Sequence, residues 1–432
     1  MQRVSVIGLG YVGLPLLCIL SEKEELSAHG FDINSQKIAM IQKRESPFSD
    51  AFISEFFQKN GLSISEKEEI LKESDVFVIC VPTPVQKDFS PDYEPLLMAS
   101  ETVAKYLRKG NLVLVESTIN PGVCEEMIVP LLEQKTKLLA GKDFDLAHCP
   151  ERVNPGDTKW TLRNIPRNVG GITENSCQRA AIFYRSFLEG EIHEQKTIRE
   201  AEATKVVENT FRDINIAYVN ELAKSFDRIG IDLVSVLRGA ANKPFGFLAH
   251  FPGCGVGGHC IPVDPYYLIR EAEKSGLEHS FLRRAREINN SMPEYTVSLL
   301  VDALNDCHKS IRGTRIGILG ISYKAEVGDI RNSPAMHIRD ILEEKGAEVQ
   351  MYDSFLSEVS DKKNTAEILE YAEAILIATN HKEFRALSPE DFLRYDIGVV
   401  IDGKNIFPDP KCFWENGISY RGIGRGNPSS PA

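Results

Sequence analysis

Residues 253–264 read Gly-Cys-Gly-Val-Gly-Gly-His-Cys-Ile-Pro-Val-Asp, which sets Cys260 on a glycine-rich turn with a carboxylate, Asp264, four residues later. Glycines there let a ligand approach the backbone closely, and a thiol so placed can act as a nucleophile. The alternative for Cys260 is a small apolar core residue, which is what most such thiols are. Residues 4–32 bear on that choice. Val4-Ser5-Val6-Ile7 runs into Gly8-Leu9-Gly10-Tyr11-Val12-Gly13, a helical pattern follows, and Asp32 closes the next short run nineteen residues after Gly13. Strand, glycine turn, helix, strand and acid in that order make a dinucleotide-binding unit. Gly8 makes the turn, Gly10 admits a pyrophosphate, and Gly13 lets helix and strand pack closely. The helix N-terminus then meets the phosphate charge. Asp32 would accept from the adenosine ribose and repel a 2′-phosphate, so NAD is expected over NADP. A nicotinamide site with a nucleophilic cysteine suggests an oxidation that passes beyond the aldehyde, through a thioester.

Other elements must bring these groups together. Residues 76–81 run as a strand into Pro82-Thr83-Pro84, and Leu112–Val115 into Glu116-Ser117-Thr118. In open parallel sheets ligands sit beyond the carboxyl ends of strands, where Thr83 and Thr118 would lie, unless either merely ends its strand. A second unit begins near Arg312: residues 315–320, 346–353, 374–379 and 399–402 repeat the order of the first. Its turn has lost the second and third glycines and carries Ser322 and Lys324 instead. Either Lys324 reaches a phosphate of a different nucleotide, or the repeat is kept for structure alone. Between the halves, residues 200–230 read as one helix, with apolar residues at Val206, Thr210/Phe211, Ile214, Ala217/Tyr218 and Leu222. Lys205, Asn209 and Arg212 share one face of it, either solvated or turned to a cleft. Further helical pattern runs over residues 264–304, and the Gly-, Pro- and Ser-rich tail 426–432 is expected to be disordered.

Bulk properties narrow the function. A chain of 432 residues has room for more than one core. Its net charge of −12 argues against nucleic acid or an anionic membrane as partner, and requires local Lys and Arg for any anionic substrate. Nine cysteines, an odd number without a CxxC pair, suggest a reducing cytosol rather than a disulfide framework. Residues 4–20 form an apolar run behind Arg3, but Gly8, Gly10, Gly13 and Pro15 interrupt it and no small-residue cleavage site follows. No stretch of 18 apolar residues spans a membrane, and a cytoplasmic protein is expected. No metal is expected, because Cys254, His259 and Cys260 match no zinc spacing. His259 is a poor base for Cys260, since neighbours in an extended loop point apart.

The motifs together resemble the UDP-glucose/GDP-mannose dehydrogenase family over almost the whole chain. They are GLGYVGLP from Gly8, VPTP from Val81, EST-x-x-PG from Glu116, PER from Pro150, AEATKVVENTFRDINIAYVNELA from Ala201, GVGGHCIPVDP from Gly255, YKAEVGDIRNSPA from Tyr323 and DGKNIF from Asp402. The resemblance implies an α/β chain of two Rossmann-like, doubly wound parallel-sheet domains joined by a long central helix. It divides into an NAD-binding domain at 1–198, a central helical dimerisation domain with the cysteine loop at 199–305, a nucleotide-sugar domain at 306–425, and the tail.

The implied activity is a four-electron, NAD-dependent oxidation of the C6 alcohol of a UDP-sugar to the carboxylate, for polysaccharide synthesis, by a homodimer formed through the central helix. As a first hydride leaves C6, a base, or a water held by Asp264 and Lys205, would take the hydroxyl proton. The Cys260 thiolate, favoured by Lys205, would attack the aldehyde, and the thiohemiacetal would be oxidised to a thioester that water hydrolyses. Lys205 and Asn209 would stabilise the oxyanion. Thr118 and Glu151 complete the catalytic set, Glu151 positioning the water or the sugar. The implied cofactor residues are Gly8, Gly10, Tyr11, Val12, Gly13, Asp32, Lys37, Thr83, Thr118 and Arg331. For the UDP-sugar they are Glu151, Arg152, Val153, Lys205, Asn209, Arg212, Gly257, Tyr323 and Lys324.

UDP-glucose enzymes usually carry a second glutamate four residues after the first, where this chain has Pro155, which leaves the water-activating group open. Residues 242–247 and the loop FPGCGVGGHCIPVDPYYL look most like UDP-N-acetylglucosamine 6-dehydrogenases. CPERVNPG and ENTFRDINIAYVNELA equally suit UDP-N-acetylmannosamine dehydrogenases, and UDP-glucose ranks third. One rival is a two-electron hydroxyacid dehydrogenase of the 6-phosphogluconate type, which has no need of Cys260 or of a second nucleotide domain. A non-catalytic nucleotide sensor is another, but it would have a broken set where Cys260, Lys205 and Asp264 are intact.

Overall fold

Short runs of Val, Ile and Leu suit strands buried on both faces, the condition of a parallel sheet. The computed structural model describes residues 1–426 except Ser49, 87–89, 154–156 and Thr158, so Pro155 and all but the first residue of the expected disordered tail lie outside the described residues. The chain forms two compact units, one of Met1–Glu208 with Tyr266–Glu278, the other of Asn209–Pro265 with His279–Ala432.

The first unit holds strands β1 (Gln2–Ile7), β2 (Leu26–Phe31), β3 (Ile64–Ser65), β4 (Val76–Ile79), β5 (Leu112–Val115), β6 (Asp145–His148), β7 (Arg167–Gly171) and β8 (Ile192–Glu194). Their order is β3-β2-β1-β4-β5-β6-β7-β8, parallel throughout except where β6 meets β7. The first six strands follow the dinucleotide-binding order, and the order reverses between β1 and β4, where the crevice of such sheets opens. Helix Gly13–Ser21 leaves the β1 turn and is buried on every side. That explains why its sequence is apolar all round rather than striped.

The second unit holds β9 (Arg315–Leu319), β10 (Glu348–Tyr352), β11 (Ala374–Ile377), β12 (Val399–Asp402) and β13 (Ser419–Gly422), in the all-parallel order β10-β9-β11-β12-β13. This is the other common doubly wound order, again reversing beside its first strand. Both units keep the acid at the end of the second strand, and both use it to hold the glycine turn. The Leu9 N–H donates to Asp32 at 2.8 Å, and the Ile321 and Ser322 N–H groups each donate to Asp353 at 2.8 Å. Asp353 also takes the Ser322 hydroxyl at 2.9 Å and the His381 Nε2 at 3.1 Å. His381 Nδ1 accepts from the Glu326 N–H, which keeps the ring proton on Nε2. Burial raises the Asp353 carboxyl, but the hydrogen bonds from His381 and the turn outweigh it and hold it at about 2.

Helix Ile198–Ile229 runs unbroken from the first unit into the second. Of the expected apolar stripe, Val206, Thr210 and Ala217 are buried, but Phe211 and Tyr218 stay 52% and 54% exposed. Asp213 and Asn220 are buried in their place and bond to Asn289 of helix Ser280–Asn290. The helical pattern after Asp264 is three helices, Asp264–Lys274, Ser280–Asn290 and Met292–Asp306. Among the described residues no helix is long and apolar enough to cross a membrane.

Asp353→Ala strands two buried N–H groups and should lower stability by about 3 kcal/mol, read as a fall in the urea midpoint at neutral pH. The folded carboxyl lies below its unfolded value of about 3.9. Its contribution is therefore complete above that value and disappears as pH falls through about 2.

Candidate active site

In the first unit the β1 turn is shaped by its glycines. Gly8 has φ +91°, and a Cβ there would lie 2.9 Å from the Cys80 carbonyl oxygen; at Gly13 a Cβ would lie 1.9 Å from the Gly8 oxygen. At Gly10 it would meet nothing within 4 Å. The turn is thus closed on its protein side and open where a pyrophosphate would pass. No side chain caps the N-terminus of helix Gly13–Ser21, the polarity an anion needs. Asp32 lies beside it, bonded to the Leu9 and Asn34 N–H groups and to Lys37 Nζ at 2.5 Å. Lys37 is delivered because Asn34 caps the next helix by accepting from the Lys37 N–H. Tyr11 stacks on Phe48 with ring centroids 4.1 Å apart. These groups fit a dinucleotide.

Sheet order brings the two threonines together at the ends of β4 and β5. The Thr83 hydroxyl donates to the Thr118 carbonyl at 2.6 Å, and the Thr83 carbonyl accepts from Tyr267 at 2.5 Å. Glu151 and Arg152 follow β6. The Arg152 guanidinium forks onto Glu208 at 3.0 and 2.6 Å and also donates to the Pro166 carbonyl. Lys205, three residues before Glu208 on the long helix, is buried. Glu202, three residues before that, accepts from the N–H groups of Gly122 and Cys124. The face carrying Lys205 is thereby tied to the turns after β5 and β6. Burial pushes the Glu151 carboxyl up; the charges of Lys205 and Arg167 and the Val153 N–H oppose the rise without cancelling it.

In the second unit the Cys260 carbonyl accepts from the Val263 N–H at 3.0 Å and the Asp264 N–H at 2.8 Å, closing the turn that opens helix Asp264–Lys274. Cys260 is half-buried, Asp264 is buried, and His259 is exposed. Asn209 Nδ2 donates to Asp264 at 2.5 Å, so the helix face and the cysteine turn meet at a carboxylate. Arg212 of that face is exposed. The loop is fixed along its length: the Gly253 N–H donates to Asn220, the Cys254 N–H to the Gly403 carbonyl, the Gly258 N–H to the Arg331 carbonyl, and the Asn332 amide to the Gly258 carbonyl. Cys254 is buried with its thiol on the Ala378 carbonyl. Tyr323 lies against Gly257, where a Cβ would come within 2.5 Å of it. The Ser322 hydroxyl oxygen lies 3.1 Å from the Lys324 carbonyl, and Arg331 forks onto Asp329. Burial raises the Asp329 carboxyl, and Arg331 more than reverses this.

Several members of this arrangement went unread in the sequence. Glu202 and Glu208 flank Lys205 at helical neighbour spacing, which was the available signal. Asp213 and Asn220 continue the stripe of Asn209, but a search for apolar period passes over polar positions. Tyr267 carries no local signal.

Three models of the UDP-glucose/GDP-mannose dehydrogenase family match the chain: the NAD binding domain over residues 2–188, the central domain over 199–291 and the UDP binding domain over 317–409. The chain is 38% identical to a UDP-N-acetyl-D-mannosamine dehydrogenase of Pyrococcus horikoshii, over 99% of this chain and 100% of the relative. It is 35% identical to a UDP-N-acetyl-D-glucosamine 6-dehydrogenase of Pseudomonas aeruginosa, over 93% and 97%. A solved UDP-D-ManNAc dehydrogenase structure from Pyrococcus horikoshii superposes with a TM-score of 0.91 at 36% identity, covering 99% of this chain and 100% of that one.

The open space at Gly10 separates binding from folding. Gly10→Ala should leave the thermal midpoint within about 0.5 kcal/mol of the parent. Its affinity for NAD should fall at least about tenfold, roughly 1.4 kcal/mol, in a titration of the purified protein.

Proposed function

The chain belongs to the UDP-glucose/GDP-mannose dehydrogenase family, and from that premise we propose that it oxidises the C6 alcohol of a UDP-N-acetylhexosamine to the uronic acid, for polysaccharide synthesis. It is an NAD-dependent nucleotide-sugar dehydrogenase. Two NAD molecules in succession, each held against Gly8, Gly10, Gly13 and Asp32 with Tyr11, Val12, Lys37, Thr83, Thr118 and Arg331 around it, would each accept one hydride.

The observation that carries the proposal is the Asn209–Asp264 hydrogen bond at the foot of the Cys260 turn. An asparagine amide has two N–H donors. One holds the Asp264 carboxylate, and the other is assigned to the oxyanion that forms at C6, beside Lys205 one helical turn away. Asp264 and Lys205 hold the water that takes the alcohol proton. Cys260 then bonds to the aldehyde carbon as thiolate, and the resulting thiohemiacetal is oxidised to a thioester. Water cleaves the thioester, positioned by Glu151. Glu151, Arg152, Val153, Arg212, Gly257, Tyr323 and Lys324 bind the UDP-sugar, Lys324 at a phosphate.

Within the acetamido class, the cysteine-loop sequence favours UDP-N-acetylglucosamine, the first reading. The relative from Pyrococcus horikoshii supports UDP-N-acetylmannosamine as the second. UDP-glucose stands third. We assign the NAD, central and nucleotide-sugar roles to residues 1–198, 199–305 and 306–425. The chain is proposed to act as a cytoplasmic homodimer joined through the long helix, on which the exposed Phe211 and Tyr218 line a cleft of mixed polarity with Asn215, Phe245, Leu248 and His250.

Cys260→Ser should abolish uronic acid formation from either acetamido sugar while NAD affinity survives, assayed by product chromatography and titration. Acid formed at the parent rate would overturn the thioester route.

A further inference from the structure

A guanidinium sealed inside a protein is costly unless its charge is matched. Arg167, the first residue of β7, is wholly buried. Its Nη1 forms an ion pair with Glu116, just past β5, at 3.0 Å, and lies 4.0 Å from the Cys149 sulfur. The Tyr184 hydroxyl donates to the other Glu116 oxygen at 2.8 Å, and the Tyr184 ring lies 5.4 Å from the guanidinium. The guanidinium is therefore clamped on one side. Its Nε and Nη2 find no hydrogen-bond acceptor among the described residues, so the clamp leaves part of the charge unused.

Strand pairing indicates where that charge acts. β6 and β7 are antiparallel, with Ala147 opposite Gly171 and His148 opposite Gly170. Past that pairing the Arg167 guanidinium lies 4.0 Å from the Cys149 sulfur and Arg152 donates to the Pro166 carbonyl, so Arg167 sits beside residues 149–152, the segment that carries Glu151. The charges of Lys205 from the long helix and Arg167 from β7 favour the Glu151 carboxylate, and that of Glu116 from the β5 turn opposes it. The Cys149 thiol, pushed by burial to about 12, stays neutral, as do Cys80 and the Tyr184 phenol, both raised by burial.

We propose that Arg167 is a positioning residue for Glu151: clamped by Glu116 and Tyr184, it keeps Glu151 as the carboxylate that accepts the proton when water cleaves the Cys260 thioester. This rests on the thioester reading given above. In that step the water oxygen bonds to the C6 carbonyl carbon, the C–S bond breaks, Cys260 leaves as thiolate, and the water proton passes to Glu151.

The test follows the decay of the acyl-enzyme by intact mass, after quenching the purified full-length enzyme with NAD and UDP-sugar, between pH 5 and 9. Arg167→Met should move the acid limb of hydrolysis up by about 1 pH unit, and Arg167→Lys should restore most of it. Glu116→Gln leaves the guanidinium charge less compensated and should move the limb the opposite way, which keeps the test decisive if Arg167→Met fails to fold. Limbs unmoved in the folded variants would overturn the proposal while Glu151→Gln still slows the decay. Decay unslowed in Glu151→Gln would instead remove the Glu151 role and the proposal with it.

Discussion

Each turn that leaves a parallel sheet exposes backbone N–H groups that must find acceptors once buried. This chain meets the requirement with carboxylates. Asp32 serves the turn after β1, Glu202 the turn after β5, Asp353 the turn after β9 and Asp402 the turn after β12. A carboxylate can accept several donors at once, so one side chain can define a whole turn. These are the turns at the carboxyl ends of the strands, where ligands of such sheets bind. The geometry of the candidate site therefore depends on interactions that also hold the fold.

The same economy explains the cations. With a net charge of −12 the chain offers an anionic substrate no general attraction, so positive charge must be placed locally. Arg152 is tied to Glu208, Arg331 to Asp329, Arg286 to Asp213 and Arg167 to Glu116. Fixing a cation by one face orients what remains of it. Removing the partner of a buried pair usually costs more than the pair itself contributes, because a lone charge is left behind.

Much of this was legible in the sequence because it is local. Strand, glycine turn and acid lie within about thirty residues, so both nucleotide-type units could be read, together with the loss of glycines at Ser322 and Lys324. The family motifs pointed to the residues that meet in the structure, such as Asn209 with Asp264 and Thr83 with Thr118. What escaped was non-local or polar. Nothing near Arg167 announces that β7 turns antiparallel against β6, which brings it beside the segment that carries Glu151. The long helix was read by its apolar period, which favoured Phe211 and Tyr218 and overlooked the buried Asp213 and Asn220. His381 gave no signal because its partner, Asp353, follows a different strand, 28 residues earlier.

The count of NADH formed per sugar consumed tests the central claim most directly, with purified protein offered UDP-N-acetylglucosamine, UDP-N-acetylmannosamine and UDP-glucose separately. The account predicts two NADH per molecule of an acetamido sugar, with the uronic acid as product. One NADH per sugar, with the aldehyde released, would contradict it and return Cys260 to the role of a packing residue.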